Sequence, residues 1–236
     1  MELIEIVRDA LVYPFNNIKA LIIYVVLGII LGILAIGTII AVVASAEAQN
    51  ILAVIGTGIL GLIVSLLIGF VICGYGLDII KYGIQREESA PGIDFVRQFI
   101  NGVKYLVVNI VYMLIPIIIG SILAIFFQHW LSSAIVVILT IIFSLALLMA
   151  ECRLAKTDDL GYALSVGEAI ADITRVGVLK VILFIILMFI IGFVLYLIVI
   201  AIANWNSTIG GILMGILGVY ITFFAARATG LLYSDV

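Results

Sequence analysis

Six long apolar runs dominate this sequence of 236 residues. A helix that crosses the hydrocarbon core of a bilayer needs about 20 mostly apolar residues, and each run reaches that length. The runs are Ile18–Ala44, Ile51–Ile79, Lys104–Phe127, Leu131–Glu151, Val178–Ala203 and Thr208–Leu231. Pro116 does not exclude its run, because transmembrane helices tolerate proline. The sequence therefore predicts an all-α, polytopic membrane helix bundle that forms one integral membrane domain over residues 1–236.

The composition also indicates that lipid is the main solvent of this chain. Hydrophobic residues make up 66% of the sequence and charged residues 11%, whereas soluble domains average about 25% charged residues. So few polar groups cannot cover the apolar surface of a soluble fold of this length. The net charge of −3 leaves no basic surface for DNA or RNA. We therefore expect membrane lipids as partners and exclude a nucleic acid.

All basic residues fall on one side of the membrane when the chain crosses it six times. The three short turns, at 45–50, 128–130 and 204–207, contain no Lys or Arg. The 11 Lys and Arg residues lie in the other connections or at the adjoining ends of the runs. Because Lys and Arg of short loops favour the cytoplasmic side, we expect a multi-pass protein of the cell (cytoplasmic) membrane with both termini in the cytosol.

A segment too polar to cross the membrane precedes each pair of runs. In Glu2–Phe15, Gly92–Val103 and Ser165–Val176, apolar residues recur at helical spacing on one face, with charged residues elsewhere. We therefore expect three cytoplasmic interfacial helices and a threefold repeat, each unit being an amphipathic helix plus a two-span hairpin. The units are 1–80, 81–157 and 158–236. The alternative is that long cytoplasmic loops produce this pattern without a structural repeat.

Two local signals predict where the amphipathic helices begin. Ser165 and Glu168 have the spacing of a capping box, in which each side chain binds the backbone of the other residue. Pro91 stands where a first-turn proline would open the second helix. A lysine then follows each segment at the start of an apolar run, at Lys19, Lys104 and Lys180.

Small residues spaced four apart predict helix-packing faces. Lipid supplies no hydrophobic force between helices, so close approach at small residues becomes important. The positions are Gly28 and Gly32 in the first run, Gly61, Ser65 and Gly69 in the second, and Gly211 and Gly215 in the sixth. We interpret them as contacts within the bundle. The alternative is that one such face binds a second copy or a partner in a membrane complex.

The strongest polar cluster is expected at the cytoplasmic ends of the runs. Asp78, Glu151, Arg153 and Arg227 lie there, and no charged residue lies near mid-membrane, where it would mark a functional site. Pairing of Asp78 or Glu151 with Arg227 would clamp the inner ends of the bundle. The alternative is that each side chain reaches the headgroup region separately.

A second set of polar residues lies within the runs themselves. Asn109, Tyr112 and Tyr196 belong to it. They could line a narrow polar path, or they could form hydrogen bonds between helices. A continuous cavity through all three would favour transport.

The sequence contains no motif for catalysis or for a metal or cofactor. His129 is the only histidine, and no His, Cys or carboxylate spacing resembles a zinc or two-metal site. Cys73 and Cys152 are too few for a disulfide framework. Asn206 begins a glycosylation sequon on the expected outer side. We expect no catalytic residue, no cofactor, no metal and no enzyme activity.

Four short segments carry a resemblance that extends over most of the chain. They are Asp9–Phe15, Gly102–Leu106 continuing to Tyr112 and Pro116, Arg153–Thr157, and Arg227–Gly230. Together they resemble a family of six-span prokaryotic membrane proteins, frequent in methanogenic archaea, that is described only as a domain of unknown function. The resemblance implies the six-span topology and implies no activity, cofactor or catalytic residue.

Three functional hypotheses follow for a membrane protein without enzyme motifs. The first is transport or permeation of a small or lipidic solute, because nearly all of the chain is a compact membrane bundle. The second is a structural or lipid-organising protein whose amphipathic helices lie flat on the inner leaflet and sense or impose curvature. The third is a scaffolding subunit of a larger membrane complex, held through its glycine faces.

Overall fold

A computed structural model describes residues 1–126, 129–205 and 207–236. These residues form nine α-helices and contain no strand. The helices are α1 (Leu3–Asn16), α2 (Ile18–Glu47), α3 (Ile51–Ile84), α4 (Phe95–Phe126), α5 (His129–Thr157), α6 (Leu160–Ala163), α7 (Val166–Val176), α8 (Val178–Trp205) and α9 (Ser207–Tyr233).

Six of these helices, α2, α3, α4, α5, α8 and α9, are long and apolar enough to cross a bilayer. Their most apolar 18-residue windows have mean hydropathies of 1.5 to 3.3. The predicted all-α, polytopic bundle is therefore confirmed, and the chain is a multi-pass integral membrane protein. Helices α3 and α5 continue to Ile84 and Thr157, several residues past the predicted ends, and no proline interrupts either extension.

Two of the three predicted interfacial helices, α1 and α7, are separate helices. Asn17 leaves the helical conformation after α1, and Gly177, with φ +105°, separates α7 from α8. The second is wrong as a separate helix, because α4 runs without a break from Phe95 through the expected boundary at Lys104. Between these two residues the only glycine, Gly102, stays helical, so nothing separates the amphipathic turns from the span.

The two predicted helix starts also differ in detail. Ser165 precedes α7, but its hydroxyl donates to the carbonyl of Gly161, so the predicted capping box is absent. Pro91 lies four residues before α4 rather than in its first turn. Asp94 opens that helix instead, since its carboxylate accepts the backbone N–H of Arg97 at 3.1 Å.

The second helix of each hairpin lies in the centre of the bundle. Helices α3, α5 and α9 contact one another, while α2 packs on α3 and α9, and α4 packs on α3 and α5. Helix α8 packs on α9 and α7. The two short amphipathic helices dock on central helices: α1 contacts α9, and α7 contacts α5.

Tight packing is concentrated at one end of the bundle. We name this the charged end; there α2, α4 and α8 begin and α3, α5 and α9 finish. The opposite end is the hairpin end. Fully buried side chains of α3 begin only at Ile72, and those of α2 end at Tyr24. Closer to the hairpin end, apolar side chains such as Ile33 and Leu52 are exposed. These surfaces are suited to contact with lipid.

Candidate functional site

Arg153 of α5 lies in a buried ion pair with a residue of α7. Its guanidinium donates to the carboxylate of Asp172 at 2.9 Å and to the carbonyl of Tyr162 at 3.0 Å. The side chains of Arg153 and Asp172 are 1% and 0% exposed. Asp172 also accepts from Tyr233 and Arg175, each at 2.6 Å. Burial acts to raise the pKa of Asp172, but these hydrogen bonds outweigh it and hold the pKa below its usual value.

Arg227 of α9 binds α1 in the same way. Its Nε donates to the carboxylate of Asp9 at 2.7 Å, and another nitrogen donates to the carbonyl of Glu87. The guanidinium also lies over the ring of Tyr13, 4.8 Å from its centre. Burial raises the pKa of Tyr13 to about 12, so the phenol stays neutral and donates to the carbonyl of Ser89 at 3.4 Å.

Asp78 of α3 completes the set with the first two turns of α4. Its carboxylate accepts from Arg97 at 3.0 Å, Asn101 at 3.1 Å and Gln98 at 3.4 Å. The structure therefore does not form the predicted clamp between Asp78 or Glu151 and Arg227. Asp78 and Arg227 instead pair with Arg97 and Asp9, which lie in segments that the sequence analysis treated as separate interfacial helices.

These three ion pairs follow one rule along the chain. Each joins the charged end of a central helix to the amphipathic segment that begins the next unit, and the last unit returns to the first. We call Asp78–Arg97, Arg153–Asp172 and Arg227–Asp9 the ion-pair ring. The first two pairs each span 19 positions. The first also has inverted polarity, with the carboxylate on the central helix.

Sequence reasoning identified one member of each pair and missed the other. Asp9, Arg97 and Asp172 belong to the charged residues of the amphipathic segments, for which the sequence analysis predicted no partner. Each segment contains a charged residue opposite in sign to one at the end of a run, but the sequence alone does not show which of these residues are neighbours.

Glu151, the fourth predicted cluster residue, lies apart from the ring and lines a central cavity. The cavity has a volume of about 360 Å³ and lies between α3, α4, α5 and α9. Glu151 accepts hydrogen bonds from Asn109, at 3.3 Å, and from Tyr105. Its described lining residues are Cys73, Gly76, Leu77, Ile80, Tyr105, Leu148, Glu151, Ile221, Thr222, Ala225, Ala226 and Thr229. Glu151 is the one carboxylate among them, and none is Lys or Arg.

The three residues of the predicted polar path lie in different surroundings. Asn109 contacts Glu151, as described. Tyr112 is buried on α4 and donates to the carbonyl of Ala163 at 2.9 Å. Tyr196 lies on α8 with 45% of its surface exposed. The structure therefore brings Asn109 to Glu151, which lines the cavity, and does not place Tyr112 or Tyr196 on a common path with it.

The predicted packing glycines divide into contacts and open positions. A Cβ at Gly28 would meet Val219 of α9, one at Gly61 would overlap Thr38 of α2, and one at Gly215 would touch Ile29. Around Gly32 and Gly69 there is open space. Ser65 is half-buried, and the packing of Gly211 lies outside the described part of the structure, as does Asn206.

The closest helix crossings involve glycines that the spacing argument did not select. A Cβ at Gly74 of α3 would overlap the carbonyl of Gln98, and one at Gly102 of α4 would overlap that of Phe70. Gly83 and Gly230 meet in the same way where α3 crosses α9. The charged end is thus held by backbone contact as well as by ion pairs.

The described residues contain no candidate metal site and no disulfide. Among them, no group of three or more His, Cys, Asp or Glu side chains is placed to hold a metal ion. Cys73 and Cys152 are both free thiols.

Comparison with known proteins assigns the chain to a family without assigning an activity. The family described as "Protein of unknown function (DUF4013)" matches residues 62–204, which is more than half of the chain. No curated protein and no solved structure matches the sequence. The resemblance to a family defined as a domain of unknown function is therefore confirmed, and the chain belongs to the DUF4013 family.

Proposed function

We propose that this protein is a non-enzymatic membrane protein that binds a small or lipidic solute in the central cavity and moves it across the membrane. The observation that carries the proposal is the cavity itself, which lies between four membrane helices and combines an apolar lining with one carboxylate, Glu151. Ligand sites in proteins are concave and mostly apolar, with a few polar groups that orient the ligand.

The ion-pair ring supports this role because it holds the helices around the cavity. Glu151 lines the cavity two residues before Arg153, Leu77 one residue before Asp78, and Ala226 one residue before Arg227. Each pair thus fixes a central helix at the level of the cavity. The half of the bundle nearer the hairpin end lacks fully buried side chains on α2 and on α3 up to Val71, which favours access to the cavity from that half.

The docking of the amphipathic helices favours this proposal over a curvature-sensing role. Helix α1 buries Ile6 and Ala10 and α7 buries Ala169 and Ile173, and the packing partners of these helices include α9 and α5. Their ion pairs with Arg227 and Arg153 hold both helices to the bundle. A lipid-organising protein would instead present these faces to the inner leaflet.

Flux across proteoliposomes tests the proposal. Vesicles carrying the protein are challenged with glycerol, hexylammonium chloride or sodium hexanoate, and their swelling is followed by light scattering. We expect faster swelling than in protein-free vesicles for at least one solute. Ala225→Phe, which fills the cavity, is expected to abolish the difference, whereas Ala124→Phe, on an exposed position of α4, is expected to preserve it. Wild-type vesicles that behave like empty ones for every solute overturn the proposal.

We further propose that the charged end lies in the cytosol, on the side of both termini, in the cytoplasmic membrane. The support is the gathering of Lys and Arg at that end. In intact cells, a membrane-impermeant thiol reagent is expected to label a cysteine at Gln49, in the turn after α2, and to leave cysteines at Glu88 or Asp159 unlabelled. These three positions are exposed. Labelling at 88 or 159 without labelling at 49 reverses the orientation.

A further inference from the structure

We infer that the central cavity takes an organic cation: a protonated amine at Glu151, with an apolar body lying between α3, α5 and α9. This inference rests on the proposed function and names the class of its solute. The observations that lead to it are the charge balance of the charged end, the chemistry of the cavity lining and the hydrogen bonds of Glu151.

Glu151 differs from the other three residues of the predicted polar cluster because it has no oppositely charged partner among the described residues. Asp78, Arg153 and Arg227 each have an oppositely charged partner within 3.0 Å. Within the described residues Glu151 has only neutral partners, the amide of Asn109 and the phenol of Tyr105. A carboxylate away from water attracts a cation strongly, because the low dielectric strengthens the interaction. The cavity therefore holds a carboxylate that pairs with no Lys or Arg among the described residues.

The lining selects an organic cation over a metal ion. Na⁺, Ca²⁺ and Mg²⁺ need several oxygen ligands around one point, and the cavity supplies few. Among the described residues, no group of three or more His, Cys, Asp or Glu side chains is placed to hold a metal ion. Most of the remaining wall is Ala, Leu and Ile, which suits a hydrocarbon group. The volume of about 360 Å³ lies at the lower end of the range for small-molecule sites.

The two donors to Glu151 hold the carboxylate in place for such a ligand. Tyr105 and Asn109 lie four residues apart on α4, and thus one turn apart on one helix face. Asn109 also donates to the backbone carbonyl of Tyr105 at 3.0 Å, which fixes its amide. The carboxylate is thereby held without a charged partner, and an ammonium group that enters the cavity meets a preformed acceptor.

Cys73 makes the binding measurable, because its thiol lines the same cavity. The protein in phosphatidylcholine nanodiscs is treated with monobromobimane, which crosses the bilayer, and the rate of labelling at Cys73 is measured against hexylammonium concentration. Hexanol and hexanoate serve as the neutral and anionic controls of the same length. Cys73→Ser gives the background from Cys152, which is 0% exposed. The midpoint of thermal unfolding provides a second readout, since a ligand of the folded state raises it.

We expect hexylammonium to slow labelling of Cys73 and to raise the unfolding midpoint. Glu151→Gln keeps the shape of the side chain and removes its charge. In this variant both effects are expected to need a hexylammonium concentration at least about tenfold higher. Hexanol should change the labelling rate and the unfolding midpoint equally in the wild type and in Glu151→Gln, and so should hexanoate. Equal action of hexylammonium on the wild type and Glu151→Gln overturns the inference, and so does protection by hexanoate that matches hexylammonium.

The flux measurement separates this inference from the proposed function. Swelling that depends on Ala225 but does not distinguish hexylammonium from glycerol supports transport and overturns the cation preference. Protection of Cys73 that depends on Glu151, without flux of any solute, supports the cation site and overturns transport.

Discussion

At the scale of single residues, the charged end shows how a membrane protein keeps arginines out of water. Arg153 is 1% exposed because Asp172 and the carbonyl of Tyr162 accept from it. A charged side chain is costly at the centre of the membrane and is tolerated near its surface. The position of Arg153 at the end of an apolar run could therefore be predicted. Its partner could not, because pairing depends on how α7 folds back onto α5, and the sequence shows only that α7 has a charged face.

Arg153→Ala is expected to destabilise the protein by about 3–5 kcal/mol, because it leaves the buried carboxylate of Asp172 without its buried cation. Arg175→Ala removes another cation from the same carboxylate and is the matched control. Arg175 is half exposed, so its loss is expected to cost much less than the loss of Arg153. Denaturant unfolding in detergent measures both changes, and equal losses for the two variants would contradict the role given to burial.

The lowered pKa of Asp172 predicts a loss of stability in acid. The unfolded chain holds the proton of Asp172 more readily than the folded protein does, so the carboxylate stabilises the fold above its ordinary pKa of about 3.9. That stabilisation is lost as the pH falls from there through the lowered pKa. We expect the wild type to be more stable than Asp172→Asn at pH 7 and the difference to narrow below about pH 4. A constant difference across this range would show that ionisation of Asp172 does not contribute.

At the scale of helices, the main departure from expectation is the continuity of α4. The amphipathic pattern of 92–103 was interpreted correctly as helical, but pattern alone does not say where one helix stops and the next begins. The other two boundaries carry real breaks, at Asn17 and at Gly177 with its positive φ. At Gly102 the glycine instead serves packing, since it lets the backbones of α3 and α4 meet.

Gly102→Ala is expected to cost about 2 kcal/mol, because its Cβ would overlap the backbone of Phe70 and force α3 and α4 apart. Gly69→Ala is the control, since a Cβ there meets nothing within 4 Å. That change is expected to be neutral or mildly stabilising, as alanine favours a helix over glycine. Thermal unfolding in the same detergent compares them. A loss at Gly69 as large as at Gly102 would contradict the crossing described here.

At the scale of the whole molecule, the three pairs of the ion-pair ring each join residues of two different predicted units. The six spans could be predicted because apolar length is a strong local signal, although the ends of α3, α4 and α5 could not. The ring and the central cavity could not, because both depend on which helices are neighbours, and lipid-facing and protein-facing residues are equally apolar here. The structure also shows that the glycine faces at Gly32 and Gly69 do not decide that arrangement.

Reversing the polarity of the first pair tests whether the three junctions are equivalent. Asp78→Arg and Arg97→Asp are each expected to destabilise the protein by placing like charges together at the junction. The double variant restores an ion pair with the polarity of the other two, so it should recover more than half of the loss of the single variants. A double-mutant cycle on the free energy of unfolding measures this coupling, and simple additivity would contradict equivalent junctions.

The spacing of the ring along the chain has a consequence for biosynthesis. A ribosome delivers the protein from its N-terminus, so pairs 19 residues apart, Asp78–Arg97 and Arg153–Asp172, can form soon after each stretch is inserted. Asp9 and Arg227 are 218 positions apart. Asp9 of α1 therefore cannot pair with Arg227 until α9 has been synthesised, after all the other helices of the described residues.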